Sequence, residues 1–128
     1  MNLTTKSEYG LRALSYLRDR YNEGPINITE ISANLDISKT YIEQIFSKLK
    51  KSNIVKSYRG KDGGYILSKK PSEIIVGDVI RALEGNINLT NKCEVENCEV
   101  ENCASRHVFS EIDTAVSNVI DKISLDQI

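Results

Sequence analysis

The sequence has no long apolar run, and that absence excludes whole classes of protein. No stretch approaches the about 18 consecutive apolar residues that a membrane-spanning helix requires. The first residues also lack a charged flank followed by an apolar segment, so no signal peptide is predicted and a cytoplasmic location is expected. A length of 128 residues allows one modest core and is too short for two independent ones.

Signatures of catalysis are lacking as well. The chain contains one histidine. Its motifs include neither a paired nucleophile and base nor a glycine-rich phosphate loop that precedes a helix. We therefore expect that the protein is not an enzyme and that it acts by binding.

Net charge is almost absent, yet the charges are strongly segregated along the chain. The whole sequence carries −1. Residues 39–70 contain nine Lys or Arg and two acidic residues, a balance of +7, whereas residues 71–128 contain four basic and eleven acidic residues, a balance of −7. The basic segment has enough charge to attract phosphates, although such lysines also serve simply as a solvated surface.

The N-terminal segment predicts a helix over about residues 6–22. Thr5 and Glu8 have the spacing of a capping box, with Thr5 as the N-cap and Glu8 at the third helical position. The apolar residues that follow recur at helical spacing, namely Leu11, Ala13, Leu14, Leu17 and Tyr21. The helix is expected to break before Gly24 and Pro25.

Two further helices around a tight turn are predicted next. Asn27 opens a short second helix, and Ser38 is a typical N-cap for a third helix that runs to about Ser52. The predicted buried face of the third helix consists of Ile42, Ile45, Phe46 and Leu49. This order describes a helix-turn-helix, although its turn at residues 35–37 lacks glycine.

A short β-hairpin is predicted directly after the helix-turn-helix. Residues 54–58 and 64–68 are both partly alternating. The connection between them contains Asp62-Gly63 within a glycine-rich stretch, and its glycines can supply positive φ without a steric penalty. A basic hairpin in this place is a wing. One more short helix should follow and end at Gly85, its apolar residues being Val76, Val79, Ile80 and Leu83.

The last helix carries an apolar stripe that a small domain cannot cover. The stripe consists of Val108, Ile112, Ala115, Val116, Val119 and Ile123. A helix of about 20 residues is about 30 Å long and would extend beyond the domain. The simplest partner is the same helix in a second copy, so a homodimer is expected. The predicted fold is mainly α: a winged helix-turn-helix with a small β-hairpin wing and a long C-terminal dimerisation helix.

Three cysteines lie close together before that helix. Cys93, Cys98 and Cys103 are spaced C-x4-C-x4-C, and His107 follows. An odd number cannot pair completely within one chain, and such a cluster in a cytosolic protein suggests metal or redox chemistry. Thiolates on one short loop suit both an iron–sulfur cluster and zinc.

Taken in order, these segments resemble one family, the winged-helix transcription regulators typified by IscR, NsrR and CymR. The resemblance extends from the start of the chain to about residue 120. Its motifs are Leu3–Lys6, Tyr9–Leu11, Leu35–Ser38, Tyr41–Phe46, Val55–Ser57, Arg59–Gly60, Gly63–Leu67, Val76–Ile80 and the three cysteines before the long helix. The expected organisation is a DNA-binding domain over 1–84, a cysteine-bearing cluster loop over 85–103, and a dimerisation helix with its tail over 104–128, within one compact domain.

The DNA-binding residues are expected on the third helix and the wing. The candidates at the start or on the outer face of the helix are Ser38, Lys39, Thr40, Tyr41, Glu43 and Gln44. The resemblance supports all of these except Lys39. Arg59 at the hairpin tip is expected to enter a minor groove. The residues expected to meet phosphates are Lys48, Lys51, Lys56 and Lys61.

In the resembling family, three cysteines in this place hold an iron–sulfur cluster. The resemblance therefore implies a cluster on Cys93, Cys98 and Cys103, with [2Fe–2S] favoured over [4Fe–4S]. Two residues are candidates for the fourth ligand: His107, one helical turn beyond Cys103, and Glu8 of the partner subunit, which matches an acidic ligand in some members. Zinc on a Cys3His set is the alternative cofactor.

The leading interpretation is a transcription regulator, usually a repressor, that binds a double-stranded DNA operator and responds to an iron–sulfur cluster. It would be a homodimer with no membrane partner. The alternative is a cluster-free regulator that senses a metabolite, a partner protein such as a metabolic enzyme, or cysteine oxidation. A zinc module for single-stranded RNA ranks last, because the cysteine loop has no aromatic side chain for base stacking.

Overall fold

The computed structural model describes residues 3–86 and 103–128. It contains five α-helices and one antiparallel hairpin in these ranges: α1 (Thr5–Asp19), α2 (Ile28–Leu35), α3 (Lys39–Lys51), β1 (Val55–Tyr58), β2 (Gly64–Leu67), α4 (Val76–Glu84) and α5 (Ala104–Ile120). Short 3-10 turns lie at Pro71–Glu73 and Leu125–Gln127. The predicted winged helix-turn-helix is confirmed. In the part of the chain that the structure describes, no helix is both long and apolar enough to cross a membrane.

The start of α1 differs from the prediction. Thr5 is not the N-cap: Thr4 is, and its hydroxyl accepts a hydrogen bond from the Lys6 amide at 3.2 Å. Either threonine can cap a helix, so local sequence does not choose between them. The choice is made by Glu84 at the end of α4, whose carboxylate takes the place that the capping box assigned to Glu8. The helix also ends at Asp19, so Tyr21 lies beyond it and is exposed.

The turn between α2 and α3 does not need a glycine, because Asp36 takes the left-handed conformation there. Its φ and ψ are 53° and 49°, and its amide donates to the Ser32 carbonyl to close α2. Aspartate is one of the few residues that adopt this region routinely. The helix-turn-helix therefore keeps its geometry with an unusual turn residue.

The core lies between α1, α3 and α4. The buried face predicted for α3 is confirmed at Ile42, Ile45, Phe46 and Leu49. Gly10 of α1 lies so close to the Leu83 side chain of α4 that a β-carbon at position 10 would overlap it. This close approach brings the ends of α1 and α4 together, beside α3.

The wing is tied to the rest of the domain on one side. Strand β1 pairs with β2 in the register Val55↔Leu67 and Tyr58↔Gly64. Tyr65 exchanges backbone hydrogen bonds with Ile26 at 2.9 and 3.0 Å, and its ring stacks on Phe46 at 4.5 Å. These contacts fix the hairpin relative to α3.

The segment after α5 folds back onto the winged domain, which the sequence analysis did not anticipate. Leu125 is completely buried, and its amide donates to the Ile74 carbonyl at 2.8 Å. Asp121 forms a two-pronged ion pair with Arg81 of α4, at 2.8 and 2.9 Å. Gly77 makes room for this pair, because a β-carbon there would overlap the Asp121 carboxylate. The C-terminal end of α5 is thus anchored on its own protomer.

Candidate nucleic-acid interface

The first turn of α3 presents polar side chains to solvent. Ser38 caps the helix by accepting a hydrogen bond from the Tyr41 amide at 3.2 Å. Four of the predicted DNA-contacting residues that follow are exposed, namely Lys39, Thr40, Glu43 and Gln44. Since the opposite face of α3 is buried in the core, these residues form one outward surface at the start of the helix.

Tyr41 is held in place by α1. Its hydroxyl lies 3.1 Å from the Thr5 hydroxyl, and its ring meets that of Tyr9 edge-on, with centroids 6.0 Å apart. The Arg12 guanidinium stacks over Tyr9 at 5.6 Å from the ring centre. The orientation of Tyr41 at the start of α3 therefore depends on the position of α1.

The wing presents three exposed basic residues, Lys56, Arg59 and Lys61. The tip is closed by a hydrogen bond from the Gly63 amide to the Gly60 carbonyl at 3.1 Å. Gly60 has a φ of 108°, which other residues rarely adopt, and a β-carbon at Gly63 would overlap the Tyr58 carbonyl. These glycines shape a tight tip that carries Arg59 away from the domain.

A groove with a volume of about 450 Å³ separates the N-terminus of α1 from the outer face of α3. Three lysines line it, Lys6 from α1 with Lys48 and Lys51 from α3, beside Tyr41 and Gln44. The charge of Lys6, together with burial, lowers the pKa of Lys48 below its ordinary value. Lys6 was not predicted as a DNA-contacting residue from the sequence, because its position beside α3 depends on the packing of α1.

Glu84 is the second residue that the sequence analysis missed. Its carboxylate accepts hydrogen bonds from the amide and hydroxyl of both Thr4 and Ser7, between 2.5 and 3.3 Å. Burial alone would raise the pKa of Glu84, but these hydrogen bonds outweigh it and hold the pKa below its ordinary value. A carboxylate in the last turn of a helix opposes the helix dipole. In the sequence, this unfavourable position was the one signal that Glu84 stabilises the N-terminus of another helix.

The predicted metal ligands are only partly within the described residues. Cys93 and Cys98 lie outside them. Cys103 is the N-cap position of α5, and its thiol is half-buried and unpaired. His107 donates its amide to the Cys103 carbonyl at 3.1 Å, while its exposed ring places Nε2 3.2 Å from the Glu111 carboxylate. Glu8 is exposed on α1.

Across residues 3–86 and 103–128, no three His, Cys, Asp or Glu side chains come together as a metal site. Two of the three predicted cysteine ligands fall outside these ranges, so the cluster ligands stay a prediction. The predicted DNA-contacting residues, by contrast, all fall within the described chain, on α3 and on the wing.

Comparisons with known proteins agree with this architecture. The profile of the Rrf2 family, described as iron-dependent transcriptional regulators, matches residues 3–128. The transcriptional regulator CymR of Bacillus subtilis is 38% identical over 128 residues, covering 100% of this chain and 89% of that protein. The regulator IscR of Aliivibrio salmonicida is 36% identical over 129 positions, covering 100% of this chain and 77% of that protein.

A solved structure gives the same result for the fold. The structure of CymR, named the global cysteine regulator of B. subtilis, has a TM-score of 0.82 and 37% identity to this chain, covering 99% of it and 95% of that protein. The relatives are named as transcriptional regulators, in agreement with the expectation that this protein is not an enzyme. Because the profile and the full-length relatives all span the chain, it belongs to the Rrf2 family of DNA-binding transcriptional regulators.

Proposed function

We propose that the protein is a homodimeric operator-binding repressor whose affinity for DNA is set by an iron–sulfur cluster. The observation that carries the DNA-binding part is the exposed polar surface at the start of α3, which lies between the lysine-lined groove and the basic wing. Such a helix fits the major groove, where side chains reach base edges. A regulator of this kind works where the chromosome lies, in the cytoplasm.

Within this proposal the contacts divide into two groups. The first group contacts the base edges. It consists of Ser38, Lys39, Thr40, Tyr41, Glu43 and Gln44, with Arg59 in the adjacent minor groove. Lys48, Lys51, Lys56 and Lys61 meet backbone phosphates, which adds affinity without sequence information. Tyr41 differs from the others in the first group, because its contacts to Thr5 and Tyr9 hold it in one orientation against α1.

The dimer is proposed from the state of α5. Of its 17 residues, all of which the structure describes, none is buried. Ile112 and Val119 are 41% and 60% exposed, and Val108 lies one turn before Ile112 on the same face. An apolar stripe of this length is typical of a helix that pairs with another copy. Two winged domains joined in this way require DNA half-sites about 34 Å apart, or a multiple of that distance.

The cluster is proposed on Cys93, Cys98 and Cys103, with His107 or the partner subunit's Glu8 as the fourth ligand. The described donors fit such a group: the Cys103 thiol is unpaired, and His107 follows one turn later with Glu111 beside its ring. A carboxylate next to a ligating histidine commonly orients it. When bound, the cluster supplies a group that responds to iron and redox state, and [2Fe–2S] is favoured over [4Fe–4S].

The two ends of the cysteine-bearing segment explain how its state would reach the DNA. Glu84, just before it, holds the N-terminus of α1, and α1 in turn positions Tyr41. Cys103, at its other end, begins the helix proposed to join the subunits. Ligation by the three cysteines would therefore act at both ends of this segment, on the surface at the start of α3 through Glu84 and α1, and on the spacing of the two subunits through α5.

A second candidate function is cluster-free control of cysteine metabolism, with a metabolite, a metabolic enzyme or cysteine oxidation as the signal. It is favoured by the likeness to B. subtilis CymR, which is named a global cysteine regulator. In this case the three thiols act as redox-sensitive groups or carry zinc instead of a cluster.

Anaerobic purification distinguishes the two functions. We expect a coloured protein with visible absorption and matched iron and sulfide, whose affinity for an operator selected from random duplex DNA changes when the cluster is removed. A variant with all three cysteines replaced by alanine is the control and should be colourless and insensitive to the same treatment. A colourless wild-type protein that contains zinc, or no metal, would favour the second function.

A further inference from the structure

The lysine-lined groove between α1 and α3 carries an excess of positive charge that the packing of the two helices does not explain. Lys6 and Lys48 come from different helices and are close enough for Lys6 to weaken protonation of Lys48. Lys51 lines the same groove. Within residues 3–86 and 103–128, no acidic side chain forms an ion pair with any of the three.

Two carboxylates near the groove offset only part of this charge. The charge of Glu84 raises the pKa of Lys48 against the larger effect of Lys6, while Glu84 accepts hydrogen bonds from Thr4 and Ser7 at the start of α1. Glu43 also lines the groove, but its charge raises the pKa of Tyr65 as well, so it lies near β2 on the wing side of α3. The groove therefore keeps a net positive charge.

The position of Lys6 is unfavourable for a second reason. It lies in the first turn of α1, where the helix dipole disfavours a cation. Repulsion from Lys48 adds to this cost. A residue that opposes both its own helix and its neighbour is expected where binding, and not folding, determines the residue.

We propose that Lys6, with Lys48 and Lys51, forms a binding site for a backbone phosphate of duplex DNA on the side of α3 that faces away from the wing. This inference rests on the proposed DNA-binding surface and adds α1 to it. A phosphate between the ammonium groups would supply the anion that the protein does not provide.

The opposite side of α3 supports this arrangement. Lys50 and Lys56 line a separate depression together with Tyr58 of the wing. A helix in the major groove has a phosphate backbone on each side of it, and each side of α3 thus has its own lysines. The site proposed here serves the backbone strand that the wing does not reach.

The test compares Lys6→Gln with Lys69→Gln, a matched removal of one exposed positive charge outside the groove. The probe is a labelled, mixed-sequence DNA duplex of about three helical turns, titrated between about 50 and 200 mM salt. For Lys6→Gln, the slope of log affinity against log salt should fall by about 0.9 for each phosphate that the protein no longer neutralises. Lys6→Arg, which keeps the charge, should restore the slope, and Lys69→Gln should keep it.

Thermal unfolding separates a binding role from a structural one. Lys6→Gln should unfold at the wild-type temperature or above it, because the repulsion with Lys48 is removed. An unchanged salt slope, or a fall equal to that of Lys69→Gln, would overturn the proposal. A lower unfolding temperature with an unchanged slope would assign Lys6 a structural role instead. Wild-type protein that fails to bind duplex DNA at all would overturn both this site and the DNA-binding surface on which it rests.

Discussion

The Glu84 carboxylate accepts hydrogen bonds from both the backbone amide and the hydroxyl of Thr4, at 3.0 and 2.5 Å. These two residues lie 80 positions apart, and their contact joins the end of α4 to the start of α1. A carboxylate is stabilising at a helix N-terminus, where the amides are unpaired and the dipole is positive. Because α1 also holds Tyr41, the contact connects the end of α4 to the start of α3.

Replacing Glu84 with Gln should lower the free energy of unfolding by about 1 kcal/mol at neutral pH, because neutral hydrogen bonds replace charge-assisted ones. The pKa of Glu84 is depressed below 4.5 in the folded protein, so its contribution is complete above that pH and is lost as pH falls through the folded value. Unfolding temperatures of both proteins, measured from pH 7 down to pH 3, should therefore converge at the acidic end. Glu23→Gln, an exposed control, should match wild type throughout; a constant gap between Glu84→Gln and wild type would contradict the account.

Joint replacement of Ile112 and Val119 with Asp should produce a monomer, because both side chains are exposed on the protomer and the proposed dimer would bury their charges without partners. Sedimentation at micromolar concentration measures the change, and circular dichroism should show that the winged domain remains folded. Asn118→Asp, on the same helix, is the control and should remain dimeric. A double variant that stays soluble and fully dimeric would show that the subunits meet elsewhere.

Arg59→Ala should weaken operator binding about tenfold, a loss of about 1.4 kcal/mol, because the wing tip carries this side chain away from the domain and towards a minor groove. Fluorescence anisotropy with the selected operator measures the effect. Lys69→Ala should change affinity much less, since Lys69 lies beyond the hairpin. Equal losses for the two variants would mean that the wing contributes only general positive charge.

The fourth cluster ligand is tested by His107→Ala and Glu8→Gln, each reconstituted anaerobically. The variant that lacks the true ligand should have an altered visible spectrum and lose its cluster faster. His107→Ala also removes the contact to Glu111, so Glu111→Gln serves as its control. Wild-type spectra for both ligand variants would indicate ligation by the three cysteines and a small molecule, and would leave Cys103 as the proposed link from the cluster to α5.

Much of the fold follows from short-range patterns. Ser38 caps α3 as predicted, since a serine before a helical apolar pattern satisfies an amide three residues away, whatever the rest of the chain does. Ile42, Ile45, Phe46 and Leu49 share one helical face and are all buried. The motifs in their order also identified the family correctly.

The exposure of the predicted DNA-contacting residues on α3 follows from the same reasoning, because a helix with one buried face must expose the other. The turn between α2 and α3 was harder to predict. The sequence predicted a tight turn at residues 35–37 that lacks the usual glycine, and Asp36 takes the left-handed conformation there. Its ability to do so belongs to the residue itself, so the sequence contained the signal, although a weaker one.

The sequence by itself determined the elements that depend on neighbours within a turn or two. These are the helix-turn-helix, the hairpin and the apolar stripe of α5 as far as Val119, since the helix ends before Ile123. Tertiary structure decided the rest. Thr4, and not Thr5, caps α1 because Glu84 reaches it from α4, and Leu125 is buried because the tail returns to pair with Ile74. Lys6 joins the groove for the same reason. Each of these contacts links residues more than 40 positions apart, and no local periodicity or capping preference depends on such a partner.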